Sequence, residues 1–359
     1  MTTETAIFRI DGVSKSYGGV KALDGVTLEA GVNEYVSLLG PSGSGKTTLL
    51  RVIAGFDVPD VGRVFFQGRD ITGLPAHERG IGFVFQNFAL FPHLTVKKNV
   101  AFGLMNGVVT IPASEIDQRC QAVIDMVGLS GLGDRGVDQI SGGQRQRVAL
   151  ARTLVMQPKL VLLDEPLGAL DANLRARMRN ELRAIRERMG VTFLHVTGSE
   201  TEALAMGDSL VVLDRGRIIQ AGTPDDVYSA PASSSVAHFL NRFNLFDGTL
   251  TAGKFTGPFG AVASPQAVRA TQDVYAIRYD RMHVQPLTAA VSGPALKATY
   301  IASEYLGSSV MNFFETSDGK VVEVEHHLSL GAPEIYEARQ DYLLAWNPEQ
   351  AIVFGREAN

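Results

Sequence analysis

The run Gly40-Pro41-Ser42-Gly43-Ser44-Gly45-Lys46-Thr47 constrains this chain more than any other feature, because a loop of this composition works only between a buried strand and a helix. Both neighbours are present. Residues 34–39 form an apolar run of strand length ahead of it, and residues 46–54 carry helical periodicity behind it. The glycines let successive backbone N–H groups turn toward a phosphate, and the start of the helix adds partial positive charge. Lys46 is then placed to reach the β- and γ-phosphates, Thr47 to offer its hydroxyl to Mg²⁺, and Thr48 to join the same nucleotide-binding turn.

Around this loop, apolar runs at 81–85, 160–163, 192–196 and 210–213 alternate with amphipathic stretches at 114–127, 144–156 and 173–189. That alternation predicts an α/β layer built on a mostly parallel sheet through about residue 240. Ser114 and Asp117 stand in capping-box spacing at the head of one helix. After a Pro, Ala and Ser stretch at 230–235 and a short helix through Leu240, the texture changes. Short alternating, β-branched segments at 273–278, 298–300, 310–315, 321–325 and 343–346 predict a second, all-β domain over 241–359.

Two further motifs belong with the phosphate loop. Residues 159–164 read as a strand ending in Asp164 and Glu165, where a nucleotide hydrolase needs one carboxylate to hold Mg²⁺ through water and a second to polarise the attacking water. Ser141-Gly142-Gly143-Gln144 opens a long helix carrying Arg145, Arg147 and Arg152, which makes a second anion-facing helix N-terminus. One nucleotide on one chain needs only one such device. The economical arrangement is a head-to-tail dimer, each nucleotide held by the phosphate loop of one subunit and the Ser141–Gln144 turn of the other.

This set of motifs resembles the ATP-binding cassette family. The stretch from Ile140 to Gln144 matches the family signature, with Ile in place of Leu at its first position. The resemblance implies a P-loop nucleotide-hydrolase domain over 1–240 with an inserted helical subdomain at about 88–158, and ATP with Mg²⁺ as ligands. It implies that Tyr17, in Ser16-Tyr17-Gly18, stacks on adenine, and that Gln86 contacts metal and water and senses a transmembrane partner. Residues 90–96 resemble the importer subfamily, in the region that receives a permease helix. Leu170-Asp171 matches the loop that crosses the dimer interface, although Gly168 stands where serine is more usual and makes that loop more pliable. Residues 276–278 and 307–325 resemble the accessory β-barrel of importers for polyamines, ferric iron, phosphonates, sulfate and molybdate. Asn244-Leu245-Phe246-Asp247-Gly248 leans toward the polyamine type. The implied setting is the cytoplasmic face of a bacterial inner membrane, with a second cassette, permease subunits and, indirectly, a periplasmic solute-binding protein as partners.

Composition is consistent with that setting. The 33 Lys and Arg against 38 Asp and Glu give a net charge of −5, which argues against a broad nucleic-acid face. A single cysteine, Cys120, excludes a disulfide framework. The N-terminal residues lack the basic and apolar regions of a secretory signal, and no run approaches the roughly 20 apolar residues of a membrane span. His326 and His327 are neighbours on a strand and face opposite ways, so a surface or structural role is expected rather than metal binding.

One departure from the family is serious. After the strand at 192–197 the family places a histidine on the γ-phosphate, and this chain has Gly198-Ser199-Glu200. His195 is no substitute: three residues along a strand span about 10 Å and reverse the face. It is expected to be a core histidine with its hydrogen bonds satisfied. Three readings stand for Gly198: slow hydrolysis on Glu165 alone, a substitute donor such as Ser199 or water, or pairing with a different, competent cassette. A clamp that closes on ATP with impaired turnover is the alternative function.

Overall fold

A parallel strand with helices on both faces is buried along its whole length, and Tyr35–Leu39, Leu160–Asp164 and Thr192–Thr197 are buried at every residue. The computed structural model describes residues 6–107, 111–168, 170, 172–240, 242–263, 273–332 and 334–355. The chain divides into two units, Met1–Ala230 and Pro231–Asn359.

The first unit runs β1 (Phe8–Tyr17), β2 (Val20–Ala30), β3 (Tyr35–Leu39), α1 (Lys46–Ala54), β4 (Val61–Phe66), β5 (Arg69–Asp70), β6 (Gly82–Val84), α2 (Val96–Met105), α3 (Ala113–Met126), α4 (Gly142–Leu154), β7 (Leu160–Asp164), α5 (Ala172–Met189), β8 (Thr192–Thr197), α6 (Glu200–Met206), β9 (Ser209–Asp214), β10 (Arg217–Gly222) and α7 (Pro224–Ser229). The central sheet has the order β10-β9-β3-β8-β7-β6 and is parallel except for β10. Alternate residues of β7 feed two cores. Leu160 and Leu162 pack with Leu38 and Leu194 on the α1 face, while Val161 and Leu163 pack with Tyr35 and Phe193 on the other.

A second, antiparallel sheet of order β2-β1-β4-β5 lies against the α1-side core through Ile10, Val13, Leu23 and Val64. The linear pattern did not announce it. Gly12, Gly18, Gly19 and Gly25 take positive φ, and the β1–β2 register shifts between Ile10 and Ser16, so the two-residue alternation is interrupted. Between β6 and β7, helices α2, α3 and α4 form the inserted helical layer, closed by Val100, Leu104, Cys120, Ile124, Val148 and Leu150.

The expected capping box of Ser114 and Asp117 is absent. Pro112 holds the N-cap position of α3 at φ −57, which starts the helix earlier and leaves Ser114 inside its first turn; Asp117 pairs with Lys97 instead. The capping box of α4 is real. Ser141 Oγ accepts from Gln144 N at 3.3 Å and Gln144 Oε1 accepts from Ser141 N at 2.8 Å.

The second unit begins with the helix Ser234–Phe239, whose Ala237 packs with Phe243, Val274, Ala276 and Phe354, so the unit border falls ahead of residue 240. Its strands form two antiparallel five-stranded sheets. One has the order Gly260–Ala263, Lys254–Gly257, Phe243–Thr251, Asp273–Arg278, Ile352–Gly355; the other Met282–Pro286, Asp341–Trp346, Ala295–Tyr305, Ser309–Thr316, Val321–His327. One core joins them, with Phe246, Phe255 and Tyr275 from the first sheet against Leu296, Phe314 and Trp346 from the second. Trp346 Nε1 donates to the Tyr275 hydroxyl at 2.9 Å, and its ring stacks parallel to Phe246. His326 Nε2 lies 3.3 Å from the Gly331 carbonyl oxygen. Among the described residues no helix is long and apolar enough to cross a membrane.

Arg79 fastens the end of α1. It is 3% exposed and donates to the carbonyls of Val52, Ile53, Thr72 and Leu74 at 2.8–2.9 Å, and burial lowers its pKa. Replacing it strands four carbonyls. Arg79→Ala is expected to destabilise the first unit by about 3 kcal/mol in urea unfolding followed by circular dichroism. Arg79→Lys should recover little, because an ammonium cannot fork across the same four acceptors.

Candidate nucleotide site

Three strands of the central sheet end level with one another. Leu39 pairs with Thr197 and Asp164 with Val196, so Gly40, Glu165 and Gly198 leave the sheet together at its carboxyl edge, where α/β sheets bind ligands. Two glycines of the loop are required by its geometry. A Cβ on Gly40 would overlap the Leu213 carbonyl, and Gly45 combines φ +103 with a close approach to the Ala22 carbonyl. Lys46 is buried, with Nζ donating at 2.8 Å to both Gly40 O and Pro41 O. Burial lowers its pKa, against the opposing pull of Glu165 and Asp164. Ser44 Oγ is buried with no partner, a polar atom that a phosphate oxygen would satisfy.

The candidate hydrolytic residues meet beside this loop. Thr47 Oγ1 donates to Asp164 Oδ1 at 3.2 Å, and Gln86 Nε2 donates to Glu165 Oε2 at 2.9 Å. Asp164 is 8% exposed; burial raises its pKa, with the neighbouring Glu165 charge adding to the rise. Glu165 sits at φ +44 and its N–H donates to Val196 O at 3.0 Å, so the chain turns sharply at the strand end where its side chain meets Gln86. The oxygen donors of Thr47, Asp164 and Gln86 suit Mg²⁺, a hard cation that takes one or two carboxylates alongside substrate phosphates. With its amide nitrogen on Glu165, Gln86 leaves its carbonyl oxygen as the atom that would face such a cation.

Tyr17, the last residue of β1, is 46% exposed. Its hydroxyl donates to Asp57 Oδ2 at 2.8 Å, and the same oxygen takes Arg51 Nε from α1 at 2.7 Å. Lys15 Nζ lies 5.5 Å from the ring centroid. Burial and the Asp57 charge raise the Tyr17 pKa, so the ring stays neutral. The turn at Ser141 and Gln144, with Gly142 and Gly143 in it, is closed on itself by the capping box, and among the described residues no hydrogen bond joins it to the phosphate loop. Asp171 lies outside the described residues.

Gly198 is exposed, and a Cβ there would meet nothing within 4 Å. Ser199 Oγ accepts from Glu202 N at 3.3 Å as the cap of α6. His195 is a core residue, at 0% exposure with its ring edge-on to Tyr35, but the expectation that its hydrogen bonds are satisfied fails: neither ring nitrogen has a partner. The parallel strands on either side spend their polar groups on the ladder, and the nearest carboxylate oxygen, of Glu202, is 4.0 Å away. Desolvation lowers the His195 pKa from 6.5 to about 3.

Sequence reasoning missed the residues that hold these loops. Glu202, 3% exposed, takes Thr197 Oγ1 at 2.9 Å and lies 3.3 Å from Arg175 Nε, while Arg175 also donates to Leu170 O at 2.9 Å. This links the loop at Gly198 to the segment before Asp171. In the segment 90–96, fully buried Asn99 accepts from Phe91 N and donates to the carbonyls of Phe91, Leu94 and Thr95. A lone acid or amide on a helix carries no linear sign of such burial.

The family described as ABC transporter matches residues 23–168. The sulfate/thiosulfate import ATP-binding protein CysA of Caulobacter vibrioides is 44% identical over 317 residues, 88% of this chain and 91% of that protein. The spermidine/putrescine import ATP-binding protein PotA of Clostridioides difficile is 48% identical over 68% of this chain and 70% of its own length. The Fe(3+) ions import ATP-binding protein FbpC of Photobacterium profundum is 44% identical over 72% and 74%. Among solved structures, a dimeric post-hydrolysis ATP-binding cassette bound to ADP and Pi superposes with a TM-score of 0.55 at 32% identity, over 60% of this chain and 98% of that one. The chain belongs to the ABC transporter family, among its import ATP-binding proteins. It is of the ATP-hydrolysing class.

The unpartnered histidine carries a pH consequence. Between pH 6.5 and about 3 the unfolded chain binds a proton at His195 that the folded chain excludes, so stability falls as pH drops through that window. Its contribution between pH 7 and 5 is a loss of about 2 kcal/mol. His195→Leu is expected to remove that part of the slope, measured as the difference in urea stability between the two pH values.

Proposed function

We propose that this chain is the ATP-binding and ATP-hydrolysing subunit of a solute importer, acting as a head-to-tail homodimer on the cytoplasmic face of a bacterial inner membrane. Permease subunits dock on it, and a periplasmic binding protein delivers solute to them. The observation that carries this reading is the Gln86–Glu165 hydrogen bond at 2.9 Å, set beside the Thr47–Asp164 pair and the phosphate loop. A nucleotide-binding module that only clamps has no use for a carboxylate so oriented.

The phosphate loop and Lys46 grip the phosphates, and the Tyr17 ring, steadied by Asp57 and Arg51, offers a stacking face to adenine. Thr47, Asp164 and Gln86 would hold Mg²⁺, which when bound neutralises phosphate charge. Glu165 polarises the attacking water, and Gln86 fixes the carboxylate's direction. The Ser141–Gln144 turn of the second copy completes each site, with Asp171 crossing between copies. The three relatives are named for an oxyanion, a polycation and ferric ion at 44–48% identity, which supports a cassette that does not read the solute.

A homodimer built this way requires ATP to close. Glu165→Gln, which keeps the side chain's shape and removes its charge, is expected to shift from monomer to dimer mass in light scattering on adding ATP and Mg²⁺. A further substitution, Ser141→Arg, should abolish the shift. A Glu165→Gln chain that stays monomeric with ATP bound would overturn the composite site.

Gly198 lowers turnover without abolishing it. A donor acting on the γ-phosphate in the transition state is worth on the order of 3 kcal/mol, and Ser199, whose hydroxyl hydrogen remains free to donate while its oxygen caps α6, replaces it only in part. Gly198→His fits the open space and is expected to raise kcat by roughly tenfold in a phosphate-release assay. An unchanged kcat would show that the position is already compensated.

A further inference from the structure

We infer that Arg152 is a positioning residue that ties the Gln86 loop to the helix carrying the Ser141 turn. The catalytic consequence rests on the ATPase reading above; the physical tie does not.

The last turn of α4 grips the chain on both sides of Gln86. Upstream, Thr153 Oγ1 donates to the Phe83 carbonyl at 3.2 Å. Downstream, Arg152 Nη1 donates to the Ala89 carbonyl at 2.6 Å and Nη2 to the Phe88 carbonyl at 2.8 Å, with the guanidinium 5.6 Å from the centroid of the Phe91 ring. Those two carbonyls belong to strained backbone. Phe88 and Ala89 are consecutive non-glycine residues at φ +64 and +45, a region that L side chains avoid. The turn has bonds of its own, Phe88 N to Phe85 O and Ala89 N to Asn87 O, but these span only two or three residues. A planar fork that takes both carbonyls at once is what keeps two left-handed residues in sequence.

The other end of α4 is the capped turn at Ser141, proposed to face the second copy's nucleotide. The helix has 13 residues. At a rise of about 1.5 Å per residue it is a stiff rod of about 20 Å. A shift of the Ser141 turn toward a nucleotide therefore reaches Phe88 and Ala89 through Arg152, and Gln86 lies two residues before Phe88. Nucleotide engagement at one end and the direction of the Gln86–Glu165 hydrogen bond at the other become a single mechanical variable.

The test uses the full chain with Arg152→Met, Arg152→Lys, Ala89→Gly and the double variant Arg152→Met/Ala89→Gly. Hydrogen exchange is followed in the peptide covering residues 86–91 and, as reference, in the β7 strand. Nucleotide affinity and kcat are measured alongside. Arg152→Met is expected to accelerate exchange in residues 86–91 about tenfold with β7 unchanged, and to lower kcat about tenfold with ATP affinity held within about twofold. Arg152→Lys should behave like Arg152→Met, since a point donor cannot span both carbonyls. Ala89→Gly alone should be near wild type, and in the double variant it should restore part of the lost kcat by removing the cost of positive φ.

Unchanged exchange in residues 86–91 would overturn the tie. Equal acceleration in β7 would reduce Arg152 to general support and overturn it too. Faster local exchange with unchanged kcat would overturn the positioning role. If the wild-type chain hydrolyses no ATP, the ATPase reading fails, while the exchange data still decide whether Arg152 holds the turn.

Discussion

The Lys46 ammonium, held on the carbonyls of Gly40 and Pro41, is the interaction around which the nucleotide unit is organised. It requires the chain to reverse at the end of β3 and re-enter as α1, which brings Gly40 against the Leu213 carbonyl and Gly45 against that of Ala22. It also fixes where the other strands must end. Because β7 and β8 run in register with each other and β8 with β3, Asp164, Glu165 and Gly198 arrive at the same edge without any loop having to search for it. A buried cation is costly alone, and the charges of Glu165 and Asp164 offset part of that cost.

Legibility followed the range of the forces involved. The phosphate loop, the strand ending at Asp164 and Glu165, and the glycine turn at Ser141 are local devices, so their residues stand side by side and could be read with their chemistry. The central sheet was legible because strands buried on both faces are apolar runs. The sheet of β1, β2, β4 and β5 was not, since its glycines and register shifts interrupt the alternation that marks a strand. Pro112 displaced a cap that spacing alone suggested. Long-range polar contacts were invisible: nothing near Glu202, Arg175, Asn99 or Arg79 in the sequence shows that each is drawn inward to satisfy backbone or a distant charge.

His195 shows the limit from the other side. Its placement in the core followed from strand parity, but its lack of partners did not, because parity says which face a side chain takes and not what waits there. The same parity leaves Gly198 on the open edge with no side chain, while the Thr197, Glu202 and Arg175 contacts still hold the backbone around it. The backbone at Gly198 is therefore held in place although the position itself carries no side chain. Shape and chemistry have been separated at one position.

Trp346 is the only tryptophan in the chain, and it is buried in the second unit between Phe246 and Tyr275. Excitation at the red edge of protein absorbance thus selects one indole, in the core of the second unit. The chain carries its own optical label, one that reports on the packing of the second unit alone.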